Sequence, residues 1–179
     1  MLDALGVPFF FVRKAPELDR AGALIVPGGE STTMWKLLRQ ENLVEPLAAF
    51  GRRRPIFGTC AGAILLATSV THPDQEGLGL MDIAVERNAY GRQVDSRVVT
   101  VWPEPEFEDR TEPGELEAVF IRAPIIRSVG HEVTVLARYN GDPVLVEQGQ
   151  HMAATFHPEL TDDPRVHRLF LARLAVSTA

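Results

Sequence analysis

The most constraining feature of this sequence is the run Gly-Thr-Cys-Ala-Gly at residues 58–62, which stands between a short apolar strand pattern and a helical pattern. The pattern predicts a strand over residues 55–59 and a helix over residues 61–67, with no loop between them. A strand that leads directly into a helix is typical of parallel β-α units, in which helices cover a sheet. Small residues on both sides of the cysteine permit the sharp turn that such a connection requires.

The first half of the chain alternates strand and helix patterns, whereas the second half is mainly strand-like. In the first half, strands are predicted over residues 9–12, 23–26 and 55–59, and helices over 44–50, over 61–67 and from Ser31 or Thr32 through Leu38. In the second half, strands are predicted over residues 82–86, 94–102, 118–122, 133–138, 144–146 and 151–156, with a hairpin turn at 140–142, a loop over 103–115 and a helix after Asp163-Pro164. The predicted fold class is therefore α/β, a mainly parallel sheet flanked by helices on both faces, with antiparallel strands added late in the chain.

The composition is that of one ordinary globular domain. The chain has 179 residues, of which 45% are hydrophobic and 23% are charged, so residues 1–179 are expected to form a single domain with its own core. The net charge of −6 and the dispersed basic residues exclude the broad basic face that nucleic-acid binding requires. The apolar stretches are too short to cross a bilayer. We therefore expect neither nucleic-acid binding nor membrane binding.

Cys60 is the only cysteine of the chain, and the turn that carries it predicts a nucleophile. At the start of a helix, the helix dipole favours the thiolate, which is the reactive form of cysteine. The alternative is a buried cysteine that packs as a small apolar side chain. A lone cysteine forms no intramolecular disulfide, and the first residues lack a signal-peptide pattern, so a reducing, cytoplasmic location is expected.

A thiol nucleophile needs a base, and the base needs an orienting group. His157-Pro158-Glu159, at the end of a predicted strand, supplies both, because residues i and i+2 of an extended segment point to the same side. The alternative is an ordinary surface loop. A zinc site made by His151, His157, Glu159 and His167 is a further alternative, but these spacings match no standard zinc pattern. We expect no metal and no other cofactor.

The third candidate element is a Pro-Gly-Gly-Glu-Ser segment that follows a predicted strand. Gly28 and Gly29 allow backbone N–H groups to approach a ligand, so this loop and the N–H of Ala61 are predicted to form an oxyanion hole. Glu30 offers a carboxylate for an amino group, and Ser31 offers a hydroxyl for a carboxylate. The alternative is a plain strand-to-helix turn in which Ser31 or Thr32 only caps the helix.

Together, these motifs resemble the class I, triad-type glutamine amidotransferases. The Gly-x-Cys-x-Gly run, the downstream His-Pro-Glu and the upstream Pro-Gly-Gly carry the resemblance. Within that family, the segments at residues 28–34, 58–62, 87–93, 120–124 and 156–160 resemble the glutaminase subunits of pyridoxal 5′-phosphate synthase. The resemblance covers nearly the whole chain.

The resemblance implies a role for each residue of the site. It makes Cys60 the nucleophile, His157 the general base and acid, and Glu159 the group that orients the histidine. It implies that glutamine is bound by Gly29, Glu30, Ser31, Arg87, Ile121 and Arg122. These residue types suit the substrate, because an arginine pairs with the α-carboxylate of glutamine and an acid pairs with its α-amino group.

The resemblance also implies an activity and a partner. L-Glutamine would be hydrolysed to L-glutamate and ammonia, and the barrel subunit of pyridoxal 5′-phosphate synthase would receive the ammonia in a hetero-oligomer that makes vitamin B6. Compared with the family pattern, the first strand is expected to be absent from the amino-terminal end. Three alternatives remain open, namely a glutaminase subunit of another amidotransferase, a non-catalytic module of the same fold and a cysteine peptidase of similar architecture.

Overall fold

The fold is built from ten strands and six helices within residues 1–87 and 96–176, the parts of the chain that the computed structural model describes. The strands are β1 (Leu24–Val26), β2 (Ile56–Thr59), β3 (Ala67–Thr71), β4 (Met81–Glu86), β5 (Ser96–Pro103), β6 (Leu116–Ile121), β7 (Ile125–Val129), β8 (Thr134–Tyr139), β9 (Asp142–Gln148) and β10 (His151–Ala154). The helices are α1 (Ala15–Leu18), α2 (Ser31–Gln40), α3 (Val44–Gly51), α4 (Ala61–Leu66), α5 (Pro105–Glu108) and α6 (Arg165–Val176), with a 3₁₀ turn at Pro158–Leu160.

Seven of these strands form one mixed sheet in the order β1-β2-β10-β9-β8-β5-β6, and β3, β4 and β7 form a small second sheet. β1 and β10 run parallel to β2, whereas the remaining neighbours in the large sheet are antiparallel. The predicted α/β class with antiparallel strands added late is confirmed, but the parallel part of the large sheet is limited to three strands. Two-residue turns join β8 to β9 and β9 to β10, so the chain returns through hairpins instead of crossing over through helices.

Helices cover both faces of the parallel strands, as the sequence predicts. Ile56 and Phe57 are neighbours on β2, and both are fully buried although they point to opposite faces. Ile56 belongs to a core formed with α1 to α4, and Phe57 belongs to a second core formed with α5 and α6. The carboxyl end of β2, where Cys60 follows, therefore emerges between two helical layers.

The predicted strand over residues 9–12 is wrong. This segment is irregular, and the side chains of Phe9 and Phe11 are 45% and 74% exposed. A strand needs neighbouring backbone to complete its hydrogen bonds, and no strand in the described part of the chain pairs with this segment. The rings of Phe9 and Phe11 pack edge to face, and Arg20 lies over the ring of Phe10.

The sequence pattern also misses several short elements, among them α1 and the 3₁₀ turn at Pro158–Leu160. The strands β3 and β7 belong to the small sheet, and α5 interrupts the segment predicted as a loop over residues 103–115. Pro105 begins α5, and the fully buried Phe107 anchors it in the second core. β3 follows α4 without a loop, and three of its five residues are polar, so the segment gives no separate strand signal.

Candidate active site

The cysteine lies at a strained turn that follows β2. Cys60 has φ 50° and ψ −105°, a conformation that a residue with a Cβ rarely adopts, and α4 begins at the next residue. Its backbone N–H donates to the carbonyl oxygen of Ala154 on β10 at 2.8 Å, so the neighbouring parallel strand holds the turn. Strain of this kind persists where the surrounding structure over-determines it, often at functional sites. The predicted sharp turn from strand to helix is confirmed.

The two glycines of the Gly-x-Cys-x-Gly run are required because backbone passes very close to both. A Cβ on Gly58 would lie 2.4 Å from the carbonyl oxygen of Gly62, and a Cβ on Gly62 would lie 2.1 Å from the carbonyl oxygen of Val26. Both distances are far inside van der Waals contact, and packed backbone cannot move aside as a side chain can. The glycines therefore allow α4 to start against β1 and β2 immediately after Cys60.

His157 and Glu159 approach each other just after the end of β10. The N–H of His157 donates to the carbonyl oxygen of Val119 on β6 at 2.8 Å, and the ring Nδ1 lies 2.8 Å from Oε1 of Glu159. The contact between the two side chains is predicted correctly, but the predicted extended geometry is wrong. Pro158 begins the 3₁₀ turn, and this turn brings the carboxylate to the ring.

Hydrogen bonds and charge link Cys60, His157 and Glu159. The hydrogen bond with Cys60, followed by the one with Glu159, raises the pKa of His157 to about 9, although burial opposes the shift. Burial raises the pKa of Glu159, but the hydrogen bond from His157 helps to outweigh it, so the net shift of this pKa is downward. The His157 ring is therefore protonated at neutral pH, between the sulfur of Cys60 and the carboxylate of Glu159.

The glycine loop after β1 lies against the histidine ring. A Cβ on Gly28 would lie 2.3 Å from Cε1 of His157, so only glycine leaves room for the ring. On the other side of the site, Ala61 is the first residue of α4, and the N–H groups of a helix's first turn have no partner within the helix. The predicted oxyanion donors thus belong to two elements that flank Cys60 and His157. Their role, and that of Gly29, stays a prediction.

Glu30 caps α2. Its carboxylate accepts from the N–H of Thr32 at 3.0 Å, from the N–H of Thr33 at 2.7 Å and from the hydroxyl of Thr33 at 2.6 Å. These hydrogen bonds, the one from the Thr33 hydroxyl first, lower the pKa of Glu30 to about 2. The predicted cap at Ser31 or Thr32 is wrong, because the helix begins at Ser31 and the preceding carboxylate reaches its first N–H groups. Glu30 is therefore ionised and held in place.

Arg87 and Ser31 lie beside this cap. Arg87 is 8% exposed, and its Nη2 donates to the Thr32 hydroxyl at 2.7 Å and lies 3.6 Å from Oε1 of Glu30. The hydroxyl of the buried Ser31 donates to Oε1 of Gln75 at 3.2 Å. The structure thus brings three predicted substrate residues to one end of α2. Gln75 is missed by sequence reasoning, because it is 44 residues from Ser31 and belongs to no motif.

Ile121 is the last residue of β6, close to Cys60, and Arg122 follows it. The carbonyl oxygen of Ile121 lies 3.9 Å from Sγ of Cys60. Arg122 has φ 46° and an exposed side chain, so the chain turns sharply next to Cys60. The glutamine contacts predicted for these two residues stay predictions. The rest of the predicted arginine motif, residues 88–93, lies outside the described residues.

Two features bear on cofactors and membranes. Within residues 1–87 and 96–176, no three His, Cys, Asp or Glu side chains are grouped so that they could hold a metal ion. His151, a member of the alternative zinc set, accepts the N–H of Ile56 on Nδ1 at 3.2 Å, at the start of β10 and away from Cys60. Over the same two ranges, no helix is long and apolar enough to span a membrane.

Comparison with known proteins decides which family has this site. Residues 2–176 match the model of the SNO glutamine amidotransferase family. The chain belongs to this family. Membership of the SNO glutamine amidotransferase family confirms the predicted resemblance and the prediction of a glutamine-hydrolysing enzyme. It excludes the alternative of a cysteine peptidase.

Curated relatives of the chain carry one name. The chain is 63% identical over 173 residues to a pyridoxal 5′-phosphate synthase subunit PdxT of Solibacter usitatus, a match that covers 97% of this chain and 90% of the relative. It is 49% identical over 180 residues to the subunit of the same name of Thermus thermophilus, covering 95% and 87% of the two chains. These matches span nearly the whole of the chain, including the segments that carry the candidate site.

Solved structures confirm the fold of this SNO family member. A crystal structure of a glutamine amidotransferase matches with a TM-score of 0.85 and 45% sequence identity, over 97% of this chain and 90% of that one. A glutamine amidotransferase of Thermotoga maritima matches with a TM-score of 0.53 at 13% identity, over 96% and 79% of the two chains. The second similarity concerns the fold alone.

Proposed function

We propose that this glutaminase hydrolyses L-glutamine through Cys60, His157 and Glu159, and that it supplies the ammonia to a pyridoxal 5′-phosphate synthase subunit for vitamin B6 synthesis. The observation that carries the proposal is the arrangement of three groups. Cys60 lies on a strained turn and raises the pKa of His157, and Nδ1 of this histidine is 2.8 Å from Oε1 of Glu159. This is the order of nucleophile, base and orienting acid that acyl transfer requires.

The first half of the reaction forms a thioester. The sulfur of Cys60 attacks the side-chain amide carbon of glutamine, and the amide oxygen becomes an oxyanion that accepts from N–H groups of Ala61 and of the Gly28-Gly29 loop. The C–N bond then breaks, and His157 gives its proton to the departing nitrogen. The products of this half are ammonia and a γ-glutamyl thioester on Cys60. Glu159 stabilises the positive charge on the His157 ring and accepts a hydrogen bond from Nδ1 of that ring.

The second half releases glutamate. Water attacks the thioester carbon, and His157 accepts a proton from that water. The C–S bond breaks, the sulfur of Cys60 leaves with its electron pair, and the acid released is L-glutamate. The enzyme returns to its starting state, with the proton on His157 beside Cys60.

The end of α2 is proposed to bind the amino-acid end of glutamine. Glu30 would pair with the α-amino group and Arg87 with the α-carboxylate, with Ser31 donating a further hydrogen bond. Gly29, Ile121 and Arg122 would complete the contacts. Glu30 is ionised at neutral pH because its pKa is lowered to about 2, first by the Thr33 hydroxyl, and this charge suits an ammonium group.

The acceptor of the ammonia is proposed to lie on another chain. The relatives are named as subunits of pyridoxal 5′-phosphate synthase, which supports a hetero-oligomer with the synthase barrel subunit. Ammonia is mostly protonated at neutral pH, and the ammonium ion is not nucleophilic, so a shielded path between subunits favours transfer. The single glutaminase domain, residues 1–179, would contribute all the residues of the hydrolytic site. A cytoplasmic location follows from a nucleophilic thiol that has to stay reduced.

Ammonia release from glutamine, measured with and without the synthase subunit, tests this function. We expect hydrolysis by the complex, and Cys60→Ala should reduce it by about 10⁴-fold or more while thermal unfolding remains cooperative. A glutamine-mimicking alkylating agent should modify Cys60 and leave the Cys60→Ala variant unlabelled. Equal ammonia release by the Cys60→Ala complex would contradict the proposed nucleophile, and failure to co-elute with the synthase subunit would contradict the partner.

A further inference from the structure

A second buried histidine lies behind the proposed triad. His167 on α6 is 2% exposed, and its ring meets the ring of Phe57 on β2 edge to face, with 5.8 Å between the centroids. The reaction described above does not use this residue. Its Nδ1 is fully buried and has no hydrogen-bond partner among the described residues. Buried polar atoms are normally paired, so an orphan of this kind requires an explanation.

Glu159 has the complementary feature. Its Oε1 faces His157, whereas Oε2 is fully buried and also has no hydrogen-bond partner in the described part of the chain. The two side chains are near enough for their charges to interact. An ionised carboxylate oxygen only accepts hydrogen bonds, and a neutral imidazole has one N–H to donate. The two orphan atoms are therefore chemically matched.

We propose that His167 is a positioning residue of the glutaminase centre, whose neutral ring donates the Nδ1 proton through one ordered water to Oε2 of Glu159. The proposal rests on the function proposed above. A donor on Oε2 fixes the plane of the carboxylate, so that Oε1 stays directed at His157. It also stabilises the ionised form of Glu159, which the imidazolium of His157 requires. The relay would then run from Cys60 through His157 and Glu159 to His167.

The surroundings keep the His167 ring neutral. Burial lowers the pKa of His167 to about 4, although the charge of Glu159 opposes the shift. The other charged groups that act on the pair are His157, which faces Glu159, and the amino end of Met1, which acts on His167. A neutral donor leaves the negative charge of Glu159 available to His157, whereas a second imidazolium would compete for it.

The tautomer of His167 in the unmodified protein is the first test. Nitrogen chemical shifts of the ring, measured by NMR on ¹⁵N-histidine-labelled protein and assigned with a His167→Asn variant, distinguish the two neutral forms. We expect the proton on Nδ1. A neutral ring with its proton on Nε2 and a bare Nδ1 would overturn the proposal. This measurement needs neither turnover nor a destabilising substitution.

Two substitutions separate donation from packing. His167→Asn keeps an N–H donor near the position of Nδ1, whereas His167→Leu keeps apolar bulk against Phe57 and removes the donor. In ¹³C-glutamate-labelled protein, the pKa of the Glu159 carboxyl should rise by about one unit in His167→Leu and stay near its original value in His167→Asn. An unchanged pKa in a folded His167→Leu protein, or an equal rise in both variants, would refute donation.

Activity gives the corresponding kinetic result. His167→Leu should lower kcat of the synthase complex about tenfold with little change in KM, and His167→Asn should stay within about twofold of the unmodified enzyme. His151→Leu is the matched control, because His151 is also a buried histidine with a lowered pKa but hydrogen-bonds Ile56 at the start of β10. The control should lose stability without the kcat effect. If the complex released no ammonia at all, the proposed function would fail, while the NMR results would still decide the role of His167.

Discussion

The proposed catalytic end and the proposed recognition end of the site are held in place by different means. At Cys60, backbone contacts fix the conformation. The residue has φ 50° and is held by a hydrogen bond to Ala154 and by two glycines that admit close backbone contact. At the start of α2, side chains make the contacts. The Glu30 carboxylate accepts from the helix N–H groups, and Arg87 donates to the Thr32 hydroxyl. Cys60 is thus positioned by packed backbone, and the residues proposed to bind glutamine are positioned by exchangeable hydrogen bonds.

This difference has a functional meaning. Preorganised geometry at the reacting atoms lowers the barrier of the chemical step without any rearrangement during the reaction. Groups proposed to contact the amino-acid end of glutamine can instead exchange an internal partner for the substrate, which would affect binding more than chemistry. Substitutions at the catalytic end are therefore expected to change kcat or the fold, and substitutions at the recognition end are expected to change KM.

After the loss of Cys60 itself, the largest effect is expected at the two residues proposed to support it, His157 and Glu159. Glu159→Gln keeps the volume of the side chain but removes the charge that stabilises the His157 imidazolium, so kcat for ammonia release should fall by about 100-fold or more. His157→Asn should cost at least as much. Nearly full activity of Glu159→Gln would mean that Cys60 and His157 act as a simple pair.

The same variant should change the pH dependence. The pKa of His157 is raised to about 9, first by Cys60 and then by Glu159, so the ring loses the proton needed by the departing ammonia as the pH rises through about 9. Without the carboxylate, this alkaline limb of the kcat/KM profile should move to lower pH. A limb that stays in place would show that Glu159 has no influence on the protonation of His157.

The next largest effect is on stability. It tests whether backbone contact holds the sharp turn from β2 through Cys60 into α4, which we call the elbow. In Gly62→Ala, the new Cβ would lie 2.1 Å from the carbonyl oxygen of Val26, and we expect a loss of about 3 kcal/mol in the free energy of unfolding, measured in urea. Gly22→Ala is the matched control, because its Cβ would meet only the end of the Leu174 side chain at 3.2 Å. The control should change stability by less than about 1 kcal/mol. Similar losses in both variants would contradict a special role for the elbow.

A smaller effect is expected at the recognition end. Glu30→Gln should raise KM for glutamine about tenfold, with a smaller change in kcat, because it removes the charge proposed to bind the α-amino group. Thr33→Val is the control, since it removes the 2.6 Å hydrogen bond to Glu30 but keeps the carboxylate. Equal KM increases in the two variants would assign the effect to the helix cap and not to substrate binding.

Glu30 also gives a stability prediction with a defined sign. Its pKa is lowered from 4.5 to about 2, first by the Thr33 hydroxyl, so its contribution to stability is present above pH 4.5 and is lost as the pH falls towards 2. The difference in unfolding free energy between the unmodified protein and Glu30→Gln should therefore shrink across that range. A difference that stays constant from pH 5 to about 2 would argue against the carboxylate as the cap.

The smallest effect concerns the strain at Cys60 itself. Both Cys60→Ala and Cys60→Gly remove the nucleophile, but only glycine adopts φ 50° without steric cost. Cys60→Gly should therefore be more stable than Cys60→Ala by about 1 kcal/mol in urea unfolding. Greater stability of the alanine variant would mean that the turn is not strained.

Several features of the site are encoded within a few neighbouring residues, and these are predictable from the sequence. Glycines on both sides of a cysteine, between a strand and a helix, predict the elbow, because no other residue fits the close backbone contacts of Gly58 and Gly62. The pair His157 and Glu159 is predictable for the same reason, since a spacing of two residues allows contact in several local conformations. The antiparallel hairpin at residues 140–141 also follows from a local turn signal.

Other features depend on segments that are distant in the sequence, and only the tertiary structure decides them. The Phe-rich segment at residues 9–12 has a strand pattern but pairs with no described strand, since hydrogen-bonding partners are not encoded within the segment itself. The Ser31–Gln75 hydrogen bond spans 44 residues, and His167 is buried only because α6 packs against Phe57 of β2. The sequence by itself therefore determines the reactive residues and the local turns that present them. Long-range packing decides how large the parallel sheet is, which groups surround the reactive residues and what each charge is paired with, because those contacts depend on the whole fold.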